Sequence, residues 1–469
     1  MKYVSTRGTA PVLDFDDVLL TGLARDGGLY VPETWPQFSI DEIAAMKDLP
    51  YVDLAVRIIT PFVGDAIAVA DLKRIIEDAY SHFDTPEVAP LTDIGNGEYL
   101  MELFHGPTLA FKDVAMQFLG PLFAHVLAAK DARICIAGAT SGDTGSAAIE
   151  AVRDRDSIDI FMLYPDGRVS DVQRRQMTTV DAANVHTIAL DGTFDDCQDA
   201  VKALFNDIPF RDAMHLSAVN SINWARIVAQ IVYYFWAALK VGGPERPVAF
   251  AVPTGNFGNV FAGYAASRMG LPVSQFIVGS NANDILTRFF ETGAMEMSGV
   301  HPTISPSMDI QVSSNFERLL FELYGRDGAK VAATLTAFRE SGRFTVDAGT
   351  MAEARKLFTG ARFDDVETKA VIGAHLDATG KLLDPHSAVG LAASRAKRAD
   401  SDAPMVILVT AHPAKFPDAV EDATGQHPAL PVHMADLFER SERVNPLAND
   451  LGALRDFMTA RAAHGGAAA

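Results

Sequence analysis

From about Asp93 onward, short runs of apolar and β-branched residues alternate with stretches of helical period. RICIAGA (133–139), IDIFMLYP (158–165) and NVHTIAL (184–190) each run into a turn and then a helix-like segment, and PVAFAVP (247–253), SQFIVGS (274–280) and APMVILVT (403–410) repeat the pattern. Apolar runs of this length, each followed by a helix, predict βαβ units and a mostly parallel sheet. The turns are explicit at Asp166-Gly167 and at Asp191-Gly192, the second leading to a helix near Asp195–Phe205. After Lys112, the residues Met116, Leu119, Phe123 and Leu127 recur close to one helical face. The first ninety or so residues differ, being loop-rich early and helical around Asp53–Phe83. The stretch from Asn283 to about Asp347 breaks the rhythm with Phe289-Phe290, His301-Pro302 and Ser305-Pro306, and reads as an insertion. The expected division is an N-terminal domain over 1–92, a core of two α/β lobes over 93–425 with the insertion at about 283–347, and a C-terminal helical extension over 426–469.

Composition narrows the function classes. The chain has 469 residues, 48% hydrophobic and 21% charged, and single cores rarely grow past roughly 250–300 residues, so two or three domains are expected. Forty basic against sixty acidic residues leave a net charge of −20, which argues against nucleic acid and anionic membranes as partners. Any anionic ligand must then be held by local donors. The two cysteines, Cys135 and Cys197, exclude a disulfide framework and fit a reducing cytoplasm. No zinc-type Cys/His spacing occurs, so no metal is expected. The start lacks a signal peptide's apolar core, and IVAQIVYYFWAAL is shorter than the ~20 apolar residues a membrane span needs and contains Gln230. The tail, ARAAHGGAAA, is low-complexity and expected to fray.

Open α/β sheets bind ligands beyond the carboxyl ends of their strands, so the glycine-rich turns there are where a site is sought. Ala139-Thr-Ser-Gly-Asp-Thr-Gly-Ser146 gathers hydroxyls and backbone N–H groups at a helix start, suited to a carboxylate or simply to a capped helix. Pro253-Thr-Gly-Asn-Phe-Gly-Asn259 can fold into a nest of N–H groups for a phosphate or be only a turn. It is neither a Walker loop nor a dinucleotide fingerprint. Lys112 lies among Leu109, Ala110, Phe111, Val114 and Ala115. Desolvation there would free its neutral amine to form an imine with an aldehyde; the alternative is a surface lysine beside Asp113. Asn220-Ser-Ile-Asn-Trp-Ala-Arg226 offers an arginine to grip a phosphate, or a helix cap with a surface arginine. His105 and His412 stand in loops as turn residues, and His386 in DPHSAVG is a candidate cap.

Taken in order along the chain, these segments resemble one family. GLARDGGLYVPE, ELFHGPTLAFKDVAMQFLG, GATSGDTGSAAIEA, NSINWARIVAQIVYY, VPTGNFGNVFAGYAA, SPSMDIQVSSNFERLLF, DPHSAVG and TAHPAKFPDAV are similar to the threonine synthase family, in the branch found in yeast and enteric bacteria. The resemblance implies a fold type II pyridoxal 5′-phosphate enzyme, with two open, mostly parallel αβα lobes plus an N-terminal domain. It implies conversion of O-phospho-L-homoserine and water to threonine and phosphate, by a cytoplasmic monomer or homodimer. Lys112 of the FKD motif would carry the cofactor, Gly255, Asn256, Phe257, Gly258 and Asn259 its phosphate, and Thr410 would face its ring nitrogen. Some relatives have Asp at position 259, a change that a backbone N–H contact would survive. Thr140, Ser141 and Thr144 would receive the substrate carboxylate, with Asp143 near the cofactor's ring hydroxyl, where other branches have Asn. Asn220, Ser221 and Arg226 would meet the substrate phosphate. Local donors of this kind would hold three anionic groups on an acidic chain. The rival readings are a serine or threonine dehydratase or a cysteine synthase of the same fold, then a non-catalytic sensor of a phosphorylated metabolite, then a nucleotide-binding enzyme.

Overall fold

The computed structural model describes residues 1–462, so the expectation for the tail falls mostly outside the described residues. The chain divides into two compact units. The first holds residues 1–19, 23–115 and 221–428, and the second 20–22, 116–220 and the segment from 429 onward.

The first unit is built on a six-stranded sheet in the order Phe358–Arg362, Val273–Ser280, Val248–Pro253, Met405–Val409, Glu98–Glu102, Leu91–Asp93. All neighbours are parallel except the edge pair 91–93 with 98–102. Strands Val248–Pro253 and Met405–Val409 are buried at every position, which is why they read as unbroken apolar runs. Ala251, Ile277, Ile407 and Leu391 lie in the core of this sheet. From 248–253 the chain turns toward 273–280, while 405–409 and 98–102 lie on the other side. Connections diverge at that point, the position where open sheets form ligand crevices. In the insertion stretch, Ala294–Glu296 pairs antiparallel with Arg343–Thr345. A three-stranded sheet near the N-terminus precedes the helices Tyr51–Val63 and Val69–Tyr80.

The second unit carries a five-stranded sheet whose pairs are all parallel, in the order Asn445–Leu447, Val185–Leu190, Ile158–Pro165, Ile134–Ala139, Leu216–Ser217. The segment after 429 thus adds a strand as well as the helix Leu451–Arg461, whose Leu454 and Met458 join Leu163, Ile188 and Cys197 in one core. Both cysteines are buried and free, and burial pushes the Cys197 thiol up to about 12. Helix Lys112–Ala129 follows the expected period, but from Asp113 to Phe123 every residue is buried, so it has no solvent face there. Among the described residues no helix is long and apolar enough to cross a membrane, and no cluster of metal-ligating side chains occurs.

Candidate active site

Three adjacent strands of the first unit deliver candidate residues from their carboxyl ends. Strands Glu98–Glu102 and Met405–Val409 run parallel in register, Glu102 opposite Val409. Beyond them the two chains stay laced together, Phe111 N–H donating to Thr410 O (2.8 Å) and His412 N–H to Leu109 O (3.0 Å). Lys112 therefore starts its helix beside Thr410. It is half-buried, its Nζ lying 5.6 Å from the centre of the Phe111 ring and 3.5 Å from Ser307 Oγ. Asp113, which the alternative reading set beside a surface lysine, is fully buried. It accepts from Thr108 Oγ1 (2.6 Å) and Thr108 N (2.8 Å), and Lys415 Nζ donates to Thr108 O (2.7 Å). Burial raises its carboxyl to about 6, against the pull of Thr108 and Lys415. The lysine's turn is thus locked from below.

The third strand, Val248–Pro253, runs into Gly255, Asn256 and Phe257, and the helix Gly258–Arg268 starts there. Phe257 takes a left-handed φ of 61°, uncommon for an aromatic residue; its ring is buried edge-on to Phe316, 5.2 Å away. Gly255 packs its bare backbone against the 305–308 segment, where an added Cβ would meet Ser307 O at 2.8 Å. Asn259, one residue into that helix, is buried as well. Its Oδ1 accepts from Tyr233 Oη (2.6 Å) and Tyr234 Oη (2.9 Å), while its buried Nδ2 has no protein partner. An unused buried donor in the first turn of a helix, beside backbone N–H groups, fits an anion held at that helix end.

Ser221 precedes helix Trp224–Lys240, whose cap is Asn223, and its Oγ lies 3.3 Å from Ser314 Oγ, which donates to Asn256 Oδ1 (3.2 Å); Arg226 stands in the first turn of that helix. Arg226 is buried, not on the surface, and burial pushes its guanidinium down to about 10. Asn220 is exposed and belongs to the second unit. What joins the 221–226 and 255–259 segments is a pair that received no role from the sequence, Asn315 and Arg318. Asn315 Nδ2 donates to Ser221 O (3.1 Å) and Asn256 O (3.0 Å). Arg318, fully buried, donates to Tyr30 O (3.1 Å), Ile222 O (2.6 Å) and Asn315 Oδ1. All three acceptors are neutral amide oxygens, and the neighbouring Glu317 carboxylate is met instead by Arg7 Nε and Nη2 (3.0 Å each). A signal existed in SSNFER, where Asn and Arg stand three residues apart on one helical face.

DPHS, at the head of helix Pro385–Lys397, does more than the capping expected of His386. Asp384, not His386, is its cap, because the carboxylate accepts from His386 N (3.0 Å) and Ser387 N (3.4 Å). Ser387 Oγ donates to Asp384 and accepts from Thr410 N (2.9 Å). His386 Nδ1 lies 3.1 Å from Asp384 Oδ1, and its Nε2 accepts from Ser307 N (3.2 Å).

In the second unit, strand Ile134–Ala139 ends at Thr140, whose Oγ1 accepts from Gly142 N and Gly145 N, both at 2.9 Å. Gly142 has a φ of 134°, and any Cβ there would strike the Gln173 amide. That amide donates to Asp143 Oδ1 (2.9 Å), and Gln173 is fixed by its capping box with Ser170. Ser141 is exposed and Thr144 half-buried. The turn is therefore a rigid, hydroxyl-bearing helix start, with Asp143 turned to an amide.

Comparison with known proteins gives the family. Residues 87–353 match the model of the pyridoxal-phosphate dependent enzymes, 2–80 that of the threonine synthase N terminus, and 387–458 that of the threonine synthase C-terminal region. A threonine synthase from Pseudomonas aeruginosa is 57% identical over 98% of this chain and 98% of its own. The crystal structure of PLP-bound threonine synthase from Brucella melitensis is 54% identical, with a TM-score of 0.97 over 99% of this chain and 100% of that one. Yeast threonine synthase follows at 39% identity and TM-score 0.93, covering 98% of both chains. Maize serine racemase, 14% identical with a TM-score of 0.50, shares the fold alone. The fold and these matches define a pyridoxal-phosphate-dependent enzyme of fold type II. More narrowly, the chain belongs to the threonine synthase family.

Proposed function

We propose that the chain converts O-phospho-L-homoserine and water to L-threonine and inorganic phosphate in the cytoplasm, with Lys112 as the covalent carrier of pyridoxal 5′-phosphate. The observation that carries this reading is the half-buried Lys112 amine, on a segment laced to Thr410 at the carboxyl edge of the sheet, in a chain matched end to end by threonine synthases. The bound cofactor supplies an electron sink for charge developing at the substrate's α-carbon. The free Lys112 amine would take up the α-proton and later return it. Backbone N–H groups of Gly255, Asn256, Phe257, Gly258 and Asn259 hold the cofactor phosphate, and the Asn259 amide supplies one further donor. Thr410 would meet the ring nitrogen with a neutral hydroxyl, which would favour an unprotonated nitrogen. Thr140, Ser141 and Thr144 receive the substrate carboxylate, and Asp143 stands by the ring hydroxyl. Asn220, Ser221 and Arg226 take the substrate phosphate and stabilise it as it leaves.

Incubation of the purified chain with O-phosphohomoserine, measuring threonine and phosphate together, tests the proposal. Equal amounts of both products are expected, and Lys112→Ala should abolish turnover and the visible absorption of the bound cofactor. Ammonia released from serine or threonine instead would point to a dehydratase.

A further inference from the structure

We propose that Ser307 is the oxygen that aims the Lys112 amine, and that Asp384 and His386 form the fixed arm holding Ser307; this rests on the assignment of Lys112 as carrier and base. A neutral primary amine has two N–H bonds and one lone pair. When one N–H is held by a fixed oxygen, the directions left to the lone pair are few, and proton transfer depends on that direction. Ser307 Oγ, 3.5 Å from Nζ, is placed for this role. The contact is long for a hydrogen bond, and such contacts often tighten only with ligand bound.

A serine on an irregular segment aims nothing unless the segment is fixed. Four contacts fix this one. Gly255 presses bare backbone against Ser307 O, and Asn281 Nδ2 donates to Ser305 Oγ (3.0 Å) and Asp309 Oδ1 (2.8 Å), gripping the segment on both sides of Ser307. The fourth is the Ser307 N–H, which His386 Nε2 accepts at 3.2 Å. Acceptance at Nε2 requires the proton on Nδ1, and Nδ1 faces the buried Asp384 carboxylate at 3.1 Å. The opposite tautomer would set two N–H groups against each other and leave Asp384 Oδ1 without the ring donor, so the geometry selects one neutral ring form. Capping the helix needs only Asp384 and Ser387. It does not need a histidine whose far nitrogen reaches a segment 79 residues away in sequence. His386 and Ser307 are thus positioning residues, and the same Asp384, through Ser387, also holds the backbone of Thr410.

The test uses the cofactor-loaded protein and four variants: Ser307→Ala, His386→Leu, His386→Gln and the double variant Ser307→Ala/His386→Leu. Nitrogen-15 NMR of the histidine ring, identified by its loss in His386→Gln, should show the neutral Nδ1–H form; an Nε2–H or doubly protonated ring overturns the proposal. Ser307→Ala and His386→Leu should each lower kcat about tenfold or more, with KM and cofactor Kd within about twofold of wild type. The double variant should be no worse than either single one, and His386→Gln, whose amide oxygen can accept the same N–H, should regain most of the rate. Full activity in Ser307→Ala, additive losses, or cofactor affinity falling in step with kcat would each sink it. Wild type failing to form threonine and phosphate would instead remove the underlying reading of Lys112.

Discussion

Gly255→Ala sets two physical effects against each other. The backbone at 255 is not in the left-handed region, so alanine is conformationally allowed, and restricting the unfolded chain would stabilise the fold by about 0.4–1 kcal/mol. Against this, the new Cβ would lie 2.8 Å from Ser307 O and 3.3 Å from Met308 Cα. Both are main-chain atoms and cannot swing aside as a side chain would, and overpacking of this kind costs about 1–3 kcal/mol. The steric term wins by about 1–2 kcal/mol, which corresponds to roughly 5- to 30-fold in an equilibrium constant. The strain has two outlets, the 305–308 segment or the 254–257 turn, and either loosens the cradle assigned to the cofactor phosphate. Cofactor Kd, measured by fluorescence titration, should rise by roughly tenfold, and Tm should fall. Gly258→Ala is the internal control, since its Cβ would meet first the side-chain amide of Asn315, at 3.3 Å, and its effect should be smaller. A Gly255→Ala protein that binds the cofactor like wild type and melts no lower would refute the steric argument.

Further outcomes follow from the same geometry. Asp113 titrates at about 6 when folded, against an ordinary 3.8, so between those pH values the folded chain holds the extra proton. Its contribution to stability therefore falls as pH rises through this window, by about 3 kcal/mol at most; urea midpoints from pH 4 to 7 should shift in favour of Asp113→Asn as pH rises, and a constant difference would contradict the assignment. Arg226→Ala should weaken O-phosphohomoserine binding at least tenfold while leaving an amino acid without phosphate within twofold, as read by titration; equal losses would make Arg226 structural. Thr140→Val removes the acceptor for two buried N–H groups and should cost about 1–3 kcal/mol of stability, seen as a lower urea midpoint.

The strands were legible because burial on both faces writes an unbroken apolar run into local sequence. Ile158–Pro165 coincides with its run from end to end, and Val185–Leu190 and Val248–Pro253 differ from theirs by one residue. The helix after Lys112 was legible as a helix but not in its surroundings, since a periodic stripe does not reveal that the remaining faces are covered too. Lys112, the 255–259 turn and Arg226 stood out by residue type. His386 stood out only as a cap, and Ser307, Asn315 and Arg318 not at all, because their meaning lies in partners far along the chain: Ser307 finds its neighbours at 112 and 386, and Arg318 at 30 and 222. On a helix bearing acidic neighbours, Arg318 reads as ordinary surface charge; only the fold shows that it is enclosed.

That enclosed guanidinium makes the amino-terminal segment something other than a removable cap. Tyr30 supplies one of the three oxygens that satisfy Arg318, so removing the segment that carries Tyr30 would leave a cation in the interior short of an acceptor and loosen the turn at Ile222 that it steadies. An engineer seeking a minimal catalyst would have to replace Arg318 and rebuild its three contacts before any shortening of the front end could succeed.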